Sequence, residues 1–537
     1  MSSSSGVITM VARCADSVFY NGNIITFSPV KKSAHAIAVE AGRIVAVGSD
    51  SEVRSSAPRG CVKYDLGGRC VLPGFIDCHT HFIQMGVDSL SVDLSGTTTL
   101  EEALSLMRAA AEKTPDDDWV VGTCWGESKW TNGRFISRSD LDKCCPRHPA
   151  VAHRICGHLS SVNSLAIKSL GLDSKTPGVE SDASGHLTGV LKESAVSLAR
   201  SATAPTPSRQ TKGLMNAIKK AHSLGVTSIH DNADSMDLET YLRAERANSL
   251  KVRVRVNIPS QNLDSMLRLG LSSGLGSDWL RIGGLKIFCD GALGARTAAL
   301  SEPFADDPGN KGMFVHERRS LDEMASRANE HDVQLVIHAI GDMGIDTTIS
   351  ALESALASSP RRDHRHRIEH LELPTREHIK RISKLKIVAS MQPNFVGEWG
   401  GVNGMYVDRL GKERAMTNNP FNEILKAGVR LAFGSDCMPF SPVYGIYSAV
   451  TAPFETQKIS AEQAVAAYTR DAAFAGFDER IKGTLEEGKL ADFIVVSSSP
   501  FGHPAELKSI RVLKTVVGGE VVHERARSSR TVERESR

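Results

Sequence analysis

The segment Leu72-Pro73-Gly74-Phe75-Ile76-Asp77-Cys78-His79-Thr80-His81 runs an apolar stretch into two histidines two positions apart. In an extended backbone alternate side chains share a face, so both imidazoles can point the same way. Two neutral imidazoles on one face suit a borderline cation such as Zn2+. A His-x-His pair also arises by chance, so its meaning depends on what else converges on it. Three further candidates end expected strands: His338 after the apolar run Gln334-Leu335-Val336-Ile337, His370 after Arg367-Ile368-Glu369, and Asp436 after Leu431-Ala432-Phe433-Gly434-Ser435. Lys286 lies inside another run, Gly283-Gly284-Leu285-Lys286-Ile287-Phe288. A lysine within a buried strand is costly unless neutralised or paired. Two outcomes stay open. Burial beside a cation depresses its pKa, and the neutral amine adds carbon dioxide to become an anionic oxygen ligand. Alternatively the ammonium survives and pairs with Asp290 or Glu369.

The elements that must position these residues are strands. Between Val71 and Phe477, apolar runs at 71–77, 226–230, 252–258, 284–288, 333–338, 366–371, 386–391 and 429–434 alternate with helix-periodic segments such as 211–224 and 321–331. Most runs are rich in Val, Ile and Leu without clean alternation, as strands buried on both faces should be. Eight parallel strands with crossover helices predict an α/β fold of the (β/α)8 TIM-barrel type. His79/His81, His338, His370 and Asp436 then stand at the C-terminal ends of strands one, five, six and eight, the face where barrel enzymes keep their active sites. About 150 residues separate the first run from the second, too many for one crossover, so an insertion is expected at about 85–210. Short strands with turn signals (Asn21-Gly22, Ala41-Gly42, Gly518-Gly519) occupy both chain ends. They predict a small β-sandwich domain composed of 12–70 and 478–525, with the barrel over 71–477 inserted between. The charged end, 526–537, reads as a disordered tail.

Composition narrows the classes. The chain has 537 residues, a net charge of +2, 41% hydrophobic and 23% charged residues. There is no bulk field to attract nucleic acid or anionic lipid, and no apolar stretch of membrane-spanning length. Ten cysteines include the adjacent pair Cys144 and Cys145 but no C-x-x-C, which fits reduced thiols in a cytoplasmic protein. The N-terminus lacks the basic region and apolar core of a signal peptide.

The His-Thr-His strand, the lysine strand, two later single histidines and a late aspartate resemble the amidohydrolase superfamily of metal-dependent hydrolases. The likeness narrows to its amidohydrolase-3 (YtcJ-like) branch, which includes N-substituted formamide deformylase. It extends over Trp125-Gly126-Glu127, residues 141–146, Arg154-Ile155-Cys156-Gly157-His158 with Asn163, Gly189-Val190-Leu191-Lys192-Glu193, Asp290 through Ala298, and the ending Gly488-Lys489-Leu490-Ala491-Asp492. The resemblance implies that His79 and His81 ligate the first metal, that Lys286 is a carboxylated ligand, that His338 and His370 are further ligands, and that Asp436 is the acid/base. One departure is Cys78, where relatives often carry a small or polar residue; its side chain should face away from His79 and His81. His158, His230 and Arg296 are candidates for lining the pocket, each equally able to be structural.

The implied activity is hydrolysis of a non-peptide C–N bond, of the amide or N-substituted formamide class, with one or two divalent ions, zinc foremost. Asp436 would take the proton from water and return it to the departing nitrogen. The expected partner is a small-molecule amide-type substrate, with neither nucleic acid nor membrane, and a homodimer is allowed. The insertion is expected to cap the barrel mouth, and its aromatics (Trp119, Trp125, Trp130, Phe135) suggest an apolar or aromatic substituent. A cyclic amide or imide hydrolase, a deaminase, or a non-catalytic regulatory barrel are the alternatives, although a binding module has no need of Asp436.

Overall fold

The computed structural model describes residues 16–55, 60–115, 118–127, 130, 134–154, 159–192, 194–233 and 235–526. The chain forms two compact units, one from Met1–Phe82 with Ile218–Arg537 and one from Ile83–Ala217.

The larger unit contains an eight-stranded parallel sheet whose order follows the chain. Its strands are β1 (Phe75–Thr80), β2 (Val226–Asn232), β3 (Arg253–Pro259), β4 (Leu280–Phe288), β5 (Gln334–Ala339), β6 (Arg367–His370), β7 (Val388–Met391) and β8 (Leu431–Phe433). β1 and β5 to β8 are buried along their whole length. That is why β5 and β8 read as near-continuous apolar runs instead of alternating, whereas β6 buries the Arg367–Glu369 ion pair. Helices such as Arg318–Glu330 and Asp342–Ser358 flank β5. The first and last strands meet through side-chain and loop contacts. Asp77 Oδ1 accepts from Ser435 N at 2.9 Å, and Asp436 N donates to His79 O at 2.8 Å. Gly434 is required at this seam, because a Cβ there would stand 2.4 Å from His79 N. The result is a (β/α)8 TIM barrel.

One expected strand divides. The run 71–77 is split by Gly74: Cys70–Pro73 joins a terminal sheet, and the barrel strand proper begins at Phe75. Both halves are buried, so composition alone does not separate them. Gly74 lets the chain change sheets against β2, since a Cβ at that position would fall 2.3 Å from Thr227 Oγ1.

Both chain ends build the second layer of this unit. A four-stranded sheet has the order Arg43–Gly48, Ala36–Glu40, Ser17–Tyr20, Val62–Asp65. A six-stranded sheet has the order Glu520–Glu524, Val512–Val517, Phe493–Val496, Cys70–Pro73, Asn23–Ile25, Ser33–Ala34. They share one core in which Phe19 meets Phe493 edge-on at 4.8 Å. Arg253 on β3 ties the barrel to this β-sandwich by pairing with buried Asp492.

The inserted unit has its own six-stranded sheet, ordered Val179–Ser181, Leu187–Lys192, Leu159–Val162, Ala150–Arg154, Val120–Trp125, Val92–Asp93. Its aromatics mostly serve its own interior. Trp125 and Trp130 are buried and stacked at 5.5 Å, with indole N–H groups donating to Ala152 O and Thr97 Oγ1. Trp119 packs against a second core cluster, leaving only Phe135 of the four substantially exposed. A satisfied, stacked indole is core, so Trp125 and Trp130 do not line the expected substrate pocket. Among the described residues no helix is long and apolar enough to cross a membrane.

Candidate metal centre

The C-terminal ends of the barrel strands bring the six sequence candidates into one neighbourhood. His79 and His81 leave β1 two residues apart. Asp436 arrives just beyond β8, with its Oδ1 at 3.3 Å from His81 Nε2 and 3.6 Å from His79 Nε2. Ligand atoms of His79, His81 and Asp436 all lie within 4.8 Å of one another. On β4, Lys286 Nζ stands 3.5 Å from His79 Nε2. The His370 ring lies 4.7 Å from that of His79 and 4.4 Å from that of His338, so three imidazoles form a row. Backbone strain accompanies the geometry. His370 and Asp436 have φ of 70° and 52°, unusual for residues with a Cβ and typical of positions where the fold enforces an orientation.

The imidazoles are prepared to act as ligands. Burial lowers the pKa of His79 and His370 well below the usual range, and the adjacent cationic groups add to it. Burial and Lys286 take His81 down to about 4 and His338 to about 3. All four are therefore neutral at pH 7. His79 Nδ1 meets Glu369 Oε2, an acceptor, so Nδ1 carries the proton and Nε2 keeps its lone pair towards the cluster. His338 Nε2 likewise donates to Gly291 O at 3.0 Å, which leaves Nδ1 as the free nitrogen. Nδ1 of His338 and Nδ1 of His370 are buried with no hydrogen-bond partner among the described residues. His79, His81 and Asp436 in such proximity fit a divalent cation of zinc type, and the orphaned Nδ1 atoms of His338 and His370 suit further ligands.

Lys286 is 3% exposed, and burial lowers its pKa. Neither expected acidic partner reaches it within ion-pair distance. Asp290 is occupied by backbone N–H groups of Ala299, Ile340 and Gly341 at 2.8–3.0 Å. Glu369 is held by His79, by Arg367 Nε at 2.7 Å and by Ser390 Oγ at 2.9 Å. The amine has instead the Phe288 ring, 4.7 Å from its centroid. Asp436 shows the opposite behaviour: burial raises its carboxyl pKa.

A model of the amidohydrolase family matches residues 63–523. The chain belongs to the amidohydrolase family. Within it, this amidohydrolase is a metal-dependent hydrolase. It is 30% identical over 539 residues to YtcJ of Bacillus subtilis, covering 95% of this chain and 99% of that one. It is 28% identical over 544 residues to an N-substituted formamide deformylase of Arthrobacter pascens, covering 96% and 99%. A crystal structure of an uncharacterised metal-dependent hydrolase from Pyrococcus furiosus superposes with a TM-score of 0.79 at 29% identity, over 90% of this chain and all of that one.

Two of the weaker pocket candidates have side-chain partners in the structure. His230 on β2 is buried with its Nδ1 accepting from Arg367 at 2.8 Å, so it supports the barrel interior. Arg296 is engaged with Asp306 at 2.8 Å. His158 falls outside the described residues. Cys78 is fully buried, with Sγ near Ala472 O at 3.9 Å, away from the histidines. Sequence reasoning missed Glu369 and Arg367 as a supporting pair for His79. Their signal was available: two opposite charges at alternate positions in a strand expected to be buried.

Proposed function

We propose that this amidohydrolase hydrolyses a C–N bond in a small amide-type substrate, of the N-substituted formamide or simple amide class. The observation that carries the reading is Asp436, a partly buried carboxyl with one oxygen facing the Nε2 atoms of both His79 and His81. A divalent cation, zinc foremost, supplies Lewis-acid polarisation of a carbonyl and acidification of water. His79, His81, His338 and His370 would hold it, with Lys286 as a carboxylated ligand.

Asp436 receives a proton from the attacking water and delivers it to the leaving nitrogen. An amine leaves poorly unless protonated, so this carboxyl must both accept and donate near neutral pH. Burial suits it to that exchange, because a carboxyl at its ordinary pKa would hold the proton too weakly to return it. Lys286, as a carbamate, would bring the negative charge that four neutral imidazoles lack. The likeness to the formamide deformylase supports the acyl-amine class.

The test is a screen of N-substituted formamides, acyclic amides and cyclic imides with protein stripped by chelator and reloaded with zinc. Metal-dependent release of amine from formamides or amides supports the reading. Turnover confined to cyclic imides, or release of ammonia from a ring-bound amino group, would replace it.

A further inference from the structure

Gln392 immediately follows β7, at the end of the barrel that holds the metal-centre candidates. It is 1% exposed, yet among the described residues neither Oε1 nor Nε2 has a hydrogen-bond partner. A buried primary amide with donor and acceptor both unmet is expensive, and native proteins keep few such groups without a use for them.

Its direction follows from its neighbours. Ser390, two residues earlier, sends its hydroxyl inward to Glu369 Oε2 at 2.9 Å, the carboxylate oxygen that also meets His79. Gln392 has extended dihedrals (φ −117°, ψ 91°), so it projects from the same side as Ser390, one layer nearer the mouth. The backbone beyond is pinned over the site. Gln392 O accepts from Phe395 N at 3.1 Å, and the Phe395 ring lies near-parallel to His370, with centroids 5.9 Å apart and an interplanar angle of 10°.

We infer that Gln392 recognises the substrate amide, donating from Nε2 to the acyl oxygen and accepting the substrate N–H at Oε1. The chain thereby selects N-monosubstituted amides over esters and N,N-disubstituted amides. This inference rests on the acyl-amine reading above. In a planar open-chain amide the C=O and N–H point opposite ways. Both contacts form together once the carbon turns tetrahedral and the C–N bond can rotate, so the effect falls on kcat more than on KM.

The experiment compares N-butylformamide, N-butyl-N-methylformamide and butyl formate on zinc-loaded wild type, Gln392→Met and Gln392→Leu, with a thermal melt of each protein. Gln392→Met should lower kcat/KM for N-butylformamide about 10- to 100-fold more than for the other two compounds, because each buried polar group left unpaired costs about 1–3 kcal/mol. Both variants should melt at or above the wild-type temperature, since they remove two unpaired buried atoms. A lower melting temperature with equal loss on all three compounds would overturn the inference and make Gln392 a structural residue. Absence of wild-type turnover on every amide and formamide would sink the acyl-amine reading and the inference with it. Normal wild-type turnover without selectivity, unchanged in Gln392→Met, would sink the inference alone.

Discussion

Glu369 Oε2 lies 2.5 Å from His79 Nδ1, with both side chains fully buried. The carboxylate is clamped in turn by Arg367 and Ser390. This relay fixes which nitrogen of His79 bears the proton and aims the other at Asp436 and Lys286. Carboxylate partners of ligating histidines typically govern metal affinity by about 10- to 100-fold. Glu369→Gln should therefore weaken zinc binding by about that factor, measured by competition with a calibrated chelator. It should also lower the melting temperature, because Arg367 loses its buried counter-charge. Ser390→Ala, which removes one neutral donor, should shift zinc affinity far less.

Lys286 should be carboxylated when metal is held. Reloading zinc into metal-free protein is expected to be slow and incomplete in buffer purged of carbon dioxide, and to recover with added bicarbonate. Lys286→Ala should lose zinc and activity and regain part of both with a short carboxylic acid and excess metal. Zinc uptake indifferent to bicarbonate, with an unmodified amine in a high-resolution map, would refute the carbamate.

Asp436→Asn should fold and hold zinc, since the amide oxygen keeps the carboxylate's place, but it cannot carry the proton. A fall of about 10²- to 10⁴-fold in kcat, with little change in KM, is expected from loss of a general acid–base. Steady-state kinetics on the best substrate of the screen decides it. A near-normal kcat would make Asp436 structural.

Asp478 anchors the barrel floor. Its carboxylate accepts from Arg255 at 2.6 and 2.7 Å, with Lys482 at 3.1 Å. Burial alone would raise its pKa, but Lys482 and Arg255 outweigh burial and hold the carboxyl well below the usual range. A depressed native pKa means stability that is present above the unfolded value and lost as pH falls towards the native one. Asp478→Asn should cost about 3–5 kcal/mol at pH 7 in denaturant titrations, because Arg255 is left buried and unpaired. The variant should also lack part of the acid destabilisation that wild type shows below about pH 4, the ordinary aspartate range.

Much of the catalytic geometry is legible in the chain itself. The two-residue period of an extended strand puts His79 and His81 on one face, and the strand-like runs ending in His338, His370 and Asp436 mark strand ends that a parallel barrel must gather at one mouth. Periodicity reports which face a side chain occupies. It does not report which partner waits there. Tertiary structure alone decides that Gly74 cuts the run 71–77 between two sheets, because the crowding against Thr227 comes from a residue more than 150 positions away. It alone decides that Asp290 and Glu369 are occupied, by backbone amides and by Arg367 and His79, so that among the described residues Lys286 has no acidic partner at ion-pair distance. It withdraws Trp125 and Trp130 into the core of the inserted unit and leaves Gln392 buried without a partner. Hydrogen bonding is a competition among groups that meet only when the chain closes, and its outcome depends on distances that no local pattern of residues contains.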